Sequence, residues 1–501
     1  MEKIAASLLA TAGIACAQTY NYDSSSETLV ITGKGNTVAD RITLEGPITP
    51  GSTVPGTSEI FGDTKEIILK DVWTSPDSIR IKYVEPTSEG NNTTLKLENS
   101  RLGASGDFDK GGTGLILILD SQSSLELYGT RLTNTIRIEN QGNIRCTNGT
   151  VSASSYLWDN KTTTGSSGVL GGSGYYSFGN VSSIETNKDF GLIKTSGQIT
   201  DLEISGIYTV DGNSAKTIGD DAYIVGVNTS SSSDGQAMTI SGSLTINAKQ
   251  GTGIGILANQ LGSDDVSLKN NYSGQIYVTA KDAFGVKVGK NAAMDPSAAG
   301  DIYSLSVGEL DIESTITSGS TQGEATGIYA KSVKRDLTAN AITVKGYTNA
   351  TGIHLTEGGR NLTISDMQVS AGISGNAAGI IAAPGRDNPV STAGNLENIR
   401  IDNLEVSGGA DATGIFANSI TKSGQNENII GNITVSSENG LANGIFADNA
   451  DITLGGKILS SSENSNAYGI WAENELHLKM LDGSEISAIA ANENSSTQAI
   501  R

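Results

Sequence analysis

The sequence predicts an all-β protein, namely a parallel, right-handed β-helix (a solenoid) with repeats of about 25–30 residues. Three observations predict this class. Glycine is abundant and proline is scarce, with 62 Gly and 8 Pro in 501 residues. One short motif recurs along the second half of the chain, and the segments between its copies are short runs that alternate apolar with polar residues. Because proline cannot donate to a strand ladder, its scarcity favours strands that are paired on both sides.

The recurring motif consists of a glycine, a β-branched aliphatic residue, a variable residue and a residue that is mostly small and apolar. Its glycines are Gly226, Gly255, Gly285, Gly327, Gly352, Gly379, Gly414, Gly444 and Gly469. Self-similarity at this spacing is typical of stacked repeats that bury one continuous core. We expect the glycines to occupy tight corners that require a positive φ angle.

Strand alternation assigns the motif positions to two faces. The β-branched residue after each glycine is predicted to lie in the core, together with the small residue two positions later. The variable residue between them points the other way, and we call this set the mixed column. Its members are Leu257, Lys287, Tyr329, His354, Ile381, Phe416, Phe446 and Trp471. The polar residues Lys287 and His354 predict that the mixed column faces outward.

The aromatic members of the mixed column are the candidate binding residues, and they are Tyr329, Phe416, Phe446 and Trp471. Two interpretations are open. The rings either stack on one another and cover neighbouring glycines, or they form an outward stripe that contacts a host or bacterial surface macromolecule.

The first 17 residues are predicted to be a signal peptide. Lys3 and the apolar run over residues 4–15 precede a small-x-small site, with cleavage between Ala17 and Gln18. Two alternatives are open: a buried N-terminal helix, and lipoprotein processing at Cys16. We expect an exported chain.

The remainder is predicted to contain two segments. Residues 18–220 are an irregular N-terminal part of the β-helix, with a capping segment near its start. Residues 221–501 are regular repeats. The sequence ends inside a repeat, since Ala499 and Ile500 fall at the glycine and core positions, so we expect a fragment or a truncated chain.

The charge and the cysteine content exclude several classes. The formal net charge is -21 and the pI is about 4.5, which opposes binding to nucleic acid and to anionic lipid headgroups. No apolar run of the mature chain reaches the roughly 18 residues of a transmembrane helix. After cleavage the chain keeps one cysteine, Cys146, so no intramolecular disulfide is expected.

A secreted polysaccharide lyase or hydrolase on a β-helix scaffold is the alternative function. Such chemistry needs carboxylates that converge in one groove, either as a catalytic pair or as calcium ligands. The adjacent acids Asp220–Asp221 and Asp264–Asp265 lie at loop-like positions, and histidine chemistry would have to use His354 or His477. We expect these to be ordinary loop and strand residues, and we predict no catalytic residue, no metal site and no cofactor.

A signal peptide followed by an acidic, cysteine-poor chain with Gly-Ile-aromatic-Ala repeats resembles the passenger region of a bacterial autotransporter. The resemblance covers residues 226–501 by repeat and most of the remaining chain by composition. It implies export by a Gram-negative bacterium, a location at the cell surface, outer membrane or outside the cell, and an adhesive, host-interaction or structural role. Autotransporters end in a translocating barrel, which these residues do not include. If the chain is a fragment, the resemblance implies such a barrel in cis.

Overall fold

The computed structural model describes most of the second half of the chain, over residues 222–232, 235–290, 296–315, 323–385, 393–424, 426–492 and 495–501. Before residue 222 it describes shorter stretches, which are 5–6, 19–23, 28–32, 42–44, 66–70, 79–81, 93–98, 100–105, 115–128, 132–133, 135–148, 155–160, 166–178, 183–184, 188–212 and 217–218. The predicted cleavage site at Ala17 and Gln18 lies outside the described residues. The chain forms two compact units, Met1–Thr217 and Ile218–Arg501.

The described residues are all-β, as the sequence predicts, apart from one short 3-10 turn at Pro296–Ala298. Among them no helix has the length and apolarity that a membrane crossing requires. The strands up to residue 218 are β1 (Ala5–Ala6), β2 (Thr19–Asp23), β3 (Thr28–Thr32), β4 (Ile42–Leu44), β5 (Glu66–Lys70), β6 (Ile79–Ile81), β7 (Thr93–Glu98), β8 (Arg101–Ser105), β9 (Leu115–Leu119), β10 (Ser124–Tyr128), β11 (Leu132–Thr133), β12 (Thr135–Asn140), β13 (Asn143–Asn148), β14 (Ser155–Asn160), β15 (Ser166–Leu170), β16 (Ser173–Phe178), β17 (Ser183–Ile184), β18 (Asp189–Thr195), β19 (Ile199–Ile204), β20 (Ile207–Asp211) and β21 (Thr217–Ile218).

The first unit begins with antiparallel pairs and continues with parallel ladders. β2 pairs antiparallel with both β1 and β3. From β3 onward, one parallel ladder runs through β5, β7, β9, β12 and β15 to β19. A second parallel ladder joins β8, β10, β13, β16 and β20. Within these two parallel ladders, neighbouring strands of the sheet are two to four strands apart in the chain.

The second unit contains longer strands. They are β22 (Tyr223–Thr229), β23 (Met238–Ile240), β24 (Ser243–Ala258), β25 (Asn270–Val288), β26 (Asp301–Ser314), β27 (Glu324–Gly346), β28 (Asn349–Arg360), β29 (Leu362–Ala371), β30 (Asn376–Ala382), β31 (Asn395–Glu397), β32 (Arg400–Gly408), β33 (Ala412–Thr421), β34 (Ile429–Ser437), β35 (Ala442–Leu454), β36 (Lys457–Ser462), β37 (Ala467–Met480), β38 (Glu485–Ala490) and β39 (Thr497–Ile500). One parallel ladder carries the glycine motif through β22, β24, β25, β27, β28, β30, β33, β35, β37 and β39. A second one runs from β24 through β25, β26, β27, β29, β32, β34 and β36 to β38.

Backbone pairing places the β-branched residues of the motif directly opposite one another. The paired residues are Val227, Ile256, Val286, Ile328, Ile353, Ile380, Ile415, Ile445 and Ile470. All nine side chains are fully buried, which confirms the predicted core position. Full burial of one such side chain stabilises the fold by roughly 1.5–3 kcal/mol, so this column is a main source of the unit's stability.

The glycines of the motif are required by close packing, so the expectation of a positive φ angle is wrong for them. The described glycines with positive φ are Gly168, Gly262, Gly358, Gly424 and Gly483, none of which belongs to the motif. A Cβ atom on Gly327 would lie 2.5 Å from the Gly352 carbonyl oxygen and 2.9 Å from Ile342 Cγ2. Consecutive motif glycines therefore lie against one another, where no side chain fits.

One buried amide links three successive repeats of the second unit. Asn428 is 1% exposed. Its Oδ1 accepts a hydrogen bond from the Ile399 amide at 2.9 Å, and its Nδ2 donates to the Asp451 carbonyl at 2.8 Å. Loss of this side chain would remove both hydrogen bonds, and the bond to the Ile399 amide is buried, where such a loss is costly.

Candidate functional site

The mixed column is continuous in the structure. Each of its eight members is paired with the next along the ladder, from Leu257 through Lys287, Tyr329, His354, Ile381, Phe416 and Phe446 to Trp471. Consecutive side chains are therefore separated by one strand spacing of about 4.8 Å. The structure thus places all four aromatic residues in one column, with Phe416, Phe446 and Trp471 in succession and Tyr329 separated from them by His354 and Ile381.

The predicted outward orientation is wrong for most of this column. Lys287 is fully buried, and Tyr329, His354 and Phe416 are 1%, 5% and 8% exposed, whereas Phe446 is only partly buried. Alternation puts these residues on the opposite face of the strand from the core column, and they are nevertheless covered. A ring nitrogen of His354, Nε2, lies 2.8 Å from the carbonyl oxygen of Ala383, just beyond β30.

The covered part of the column belongs to a second apolar layer. Ile381 and Phe416 form a buried cluster with Ala378 and Ala383, and Phe446 packs against its edge. Alternation within a strand separates the two faces of the strand, but it does not reveal whether another segment covers the outer face. For this reason the sequence pattern suggested exposure where the structure has a packed layer.

Lys287 is the most unusual member of the covered part. Its Nζ lies 4.5 Å from the centre of the Phe284 ring and 4.4 Å from that of Tyr329. Among the described residues this nitrogen has no hydrogen-bond partner. Burial disfavours the charged amine and lowers the pKa of Lys287 to about 7. The faces of these two rings provide favourable electrostatic contacts for the cation.

The aromatic rings at the other end of the column contact one another, edge to face between Phe416 and Phe446 and stacked between Phe446 and Trp471. The ring centres of Phe416 and Phe446 are 5.5 Å apart, and those of Phe446 and Trp471 are 4.7 Å apart. The guanidinium of Arg501 lies 4.0 Å above the Trp471 ring. Of these pairs only Phe446 and Trp471 stack, and both keep part of their surface exposed. The binding role of this stripe stays a prediction.

A small pocket lies beside the column at Phe416. Its volume is about 110 Å³, and it is lined by Asn376, Ala377, Ala378, Ile381, Asp411, Thr413 and Phe416. We call it the Asp411 pocket. Three polar side chains from β30, β33 and the residue before β33 face an apolar wall that includes Ile381 and Phe416, an arrangement typical of small-molecule sites.

Two hydrogen bonds hold Asp411 in place. Its backbone amide donates to Asn376 Oδ1 at 3.1 Å, and its Oδ1 accepts a hydrogen bond from the Leu441 amide at 2.7 Å. The sequence analysis missed this pocket. A signal was present, because Asn376 and Asp411 both stand three residues before a motif glycine, Gly379 and Gly414. The repeat therefore places them side by side.

Of the acidic residues considered for catalysis, Asp264 and Asp265 take part in hydrogen bonds with other residues of the chain. Asp265 Oδ1 accepts a hydrogen bond from the Ser267 amide at 2.9 Å, which lowers the pKa of Asp265. Arg335 binds the backbone carbonyls of Ser263 and Asp264. The pair Asp220–Asp221 lies outside the described residues. Within the described part of the chain no group of three or more His, Cys, Asp or Glu side chains is arranged to hold a metal ion.

The second histidine is on the surface. His477 Nε2 lies 2.7 Å from Glu475 Oε1, and both side chains are about two-thirds exposed, at 67% and 64%. His354 lies on β28, whereas His477 and Glu475 lie on β37, several strands later in the chain. The two histidines therefore do not form a joint site among the described elements.

Comparison with protein-family models, with curated proteins and with solved structures finds no match for this chain. The function must therefore be argued from its own residues.

Proposed function

We propose that the chain is the passenger-like part of an exported protein displayed at the surface of a Gram-negative bacterium, where it has an adhesive role. In this proposal the parallel ladders form a right-handed β-helix with repeats of about 25–30 residues. The observation that carries it is the unbroken register of nine core residues from Val227 to Ile470. Parallel pairing between equivalent positions of successive repeats is what a solenoid requires.

The chemistry of the chain supports a surface-binding role. The net charge of -21 suits a soluble, displayed polypeptide and opposes attraction to nucleic acid. The partly exposed rings of Phe446 and Trp471, next to the Asp411 pocket, provide an aromatic surface for a host or bacterial macromolecule. The export signal expected over residues 1–17 supports a location outside the cytoplasm. If the chain is a fragment, a barrel translocator would follow in cis.

The proposal is tested by fusing the full chain to an autotransporter barrel in a Gram-negative host. We expect protease-accessible protein at the cell surface and increased adhesion of the bacteria to epithelial cells or matrix. Replacing Phe446 and Trp471 together with serine should reduce adhesion about tenfold or more, because aromatic residues contribute strongly to binding surfaces. Tyr347→Ser is the control, since Tyr347 is also exposed, at 41%, but lies outside the mixed column.

Two results would contradict the proposal. One is a chain that folds but is retained inside the cell despite the barrel. The other is full adhesion by the double serine variant when its surface display equals that of the parent chain.

A further inference from the structure

We propose that the Asp411 pocket binds one ring of a neutral hexopyranose glycan. This ligand class would serve the surface-binding role, and in that respect the inference rests on the proposed function. Its own support comes from the side chains around the pocket, which are Asn376, Asp411, Thr413, Ile381 and Phe416.

The polar side of the pocket has unused hydrogen-bonding capacity. Asp411 uses Oδ1 for the Leu441 amide, and Asn376 uses Oδ1 for the Asp411 amide. Among the described residues, Asp411 Oδ2, Asn376 Nδ2 and the Thr413 hydroxyl have no partner. These atoms offer one acceptor, one donor and one group that does both. The bond from the Leu441 amide orients the Asp411 carboxylate, and the bond from the Asp411 amide orients the Asn376 side chain, before a ligand arrives, which reduces the cost of binding.

The apolar side matches the other face of a sugar ring. Ile381 and Phe416 line the pocket together with Ala377 and Ala378. A pyranose has an edge of hydroxyl groups and a face of C–H groups, so one ring can contact both sides of the pocket at once. The volume of about 110 Å³ suits part of a single ring. Further rings of a chain would lie toward the partly exposed Phe446, whose ring centre is 5.5 Å from that of Phe416.

The same contacts argue against charged ligands. An anion would meet the Asp411 carboxylate and the net charge of -21. An ammonium group has only donors, so it would pair with Asp411 but leave the Asn376 amide facing a second donor. A hydroxyl group both donates and accepts, and it can therefore satisfy all three polar side chains.

The test is direct binding of methyl glycosides to the purified full chain. Saturation-transfer NMR is recorded with the methyl glycosides of glucose, galactose, mannose and N-acetylglucosamine, followed by titration of those that bind. We expect binding of at least one of them, with little change between 50 and 500 mM NaCl. Asp411→Asn should weaken it about tenfold or more, since hydrogen bonds to charged groups are the stronger ones.

Two further variants keep the test independent of folding. Thr413→Val preserves the shape of the strand residue and removes only the hydroxyl, and it should weaken binding several-fold. Asp402→Asn is the matched control, because Asp402 lies on the surface in an ion pair with Arg400 and away from the pocket lining. It should bind as the parent chain does. Thermal unfolding of each variant establishes that it is folded.

Three outcomes would overturn the inference. They are the absence of binding for all four glycosides, unchanged binding by a folded Asp411→Asn variant, and competition by methylammonium that weakens steeply with salt. Glycoside binding by a chain that is never displayed would refute the proposed function alone. Aromatic-dependent adhesion by a displayed chain that binds no glycoside would refute this inference alone.

Discussion

Replacing Lys287 with methionine should stabilise the protein in a pH-dependent way. The lysine is fully buried between two rings, and its pKa is about 7 in the folded chain against an ordinary value of 10.5. A difference of one pKa unit corresponds to about 1.36 kcal/mol. Burial of the charged amine therefore lowers the free energy of unfolding by about 5 kcal/mol when the side chain is protonated in both states.

The sign of the pH dependence follows from proton binding. Below pH 7 the folded and unfolded chains both hold the proton, and the full cost is present. Between pH 7 and 10.5 the unfolded chain binds more protons than the folded chain, so the stability of the parent protein rises with pH. Methionine has a similar length and no charge, so the Lys287→Met variant lacks this rise. The variant's excess in free energy of unfolding over the parent should be about 3 kcal/mol smaller at pH 9.5 than at pH 6.

The assay is equilibrium urea unfolding of both proteins at several pH values from 6 to 9.5. Hydrogen exchange of the amides in β25 provides a local measure of the same effect. Lys345→Met is the control, because Lys345 is exposed on the outer side of β27 and its replacement should give no pH-dependent difference. The reasoning would be refuted if the stabilities of Lys287→Met and the parent changed in parallel over this pH range. It would also be refuted if the variant were less stable than the parent at pH 6.

Three further substitutions test the packing of the second unit by urea unfolding. Gly379→Ala should cost about 2–3 kcal/mol, because its Cβ would lie 2.5 Å from the Gly414 carbonyl oxygen. Gly455→Ala is the control and should change stability little, since the nearest atom to its Cβ would be 3.7 Å away. Equal losses of stability in the two variants would contradict the close-packing argument. Asn428→Ala should cost about 1–3 kcal/mol by removing two hydrogen bonds to the backbone, one of them buried, and a neutral result would mean that water replaces the amide. Ile445→Ala should cost about 2–5 kcal/mol, and a loss below 1 kcal/mol would show that the core column is not tightly packed.

Only part of the candidate site could be predicted from the sequence. The spacing of the motif was enough to predict that Phe416, Phe446 and Trp471 follow one another, and backbone pairing aligns them. The pocket was not predicted, because Asn376 and Asp411 carry no motif of their own. The two residues are 35 positions apart in the chain, and they form part of one pocket only because their repeats are in contact.

The all-β class, the core column and the order of the mixed column could be predicted from the sequence, because strand alternation and the recurring glycine specify which residues face inward. The environment of the outer face could not be predicted in this way. Lys287, Tyr329 and His354 are buried there, whereas Phe446 and Trp471 are partly exposed. The physical reason is that alternation within a strand is a local property, whereas covering an outer face depends on segments that are distant along the chain.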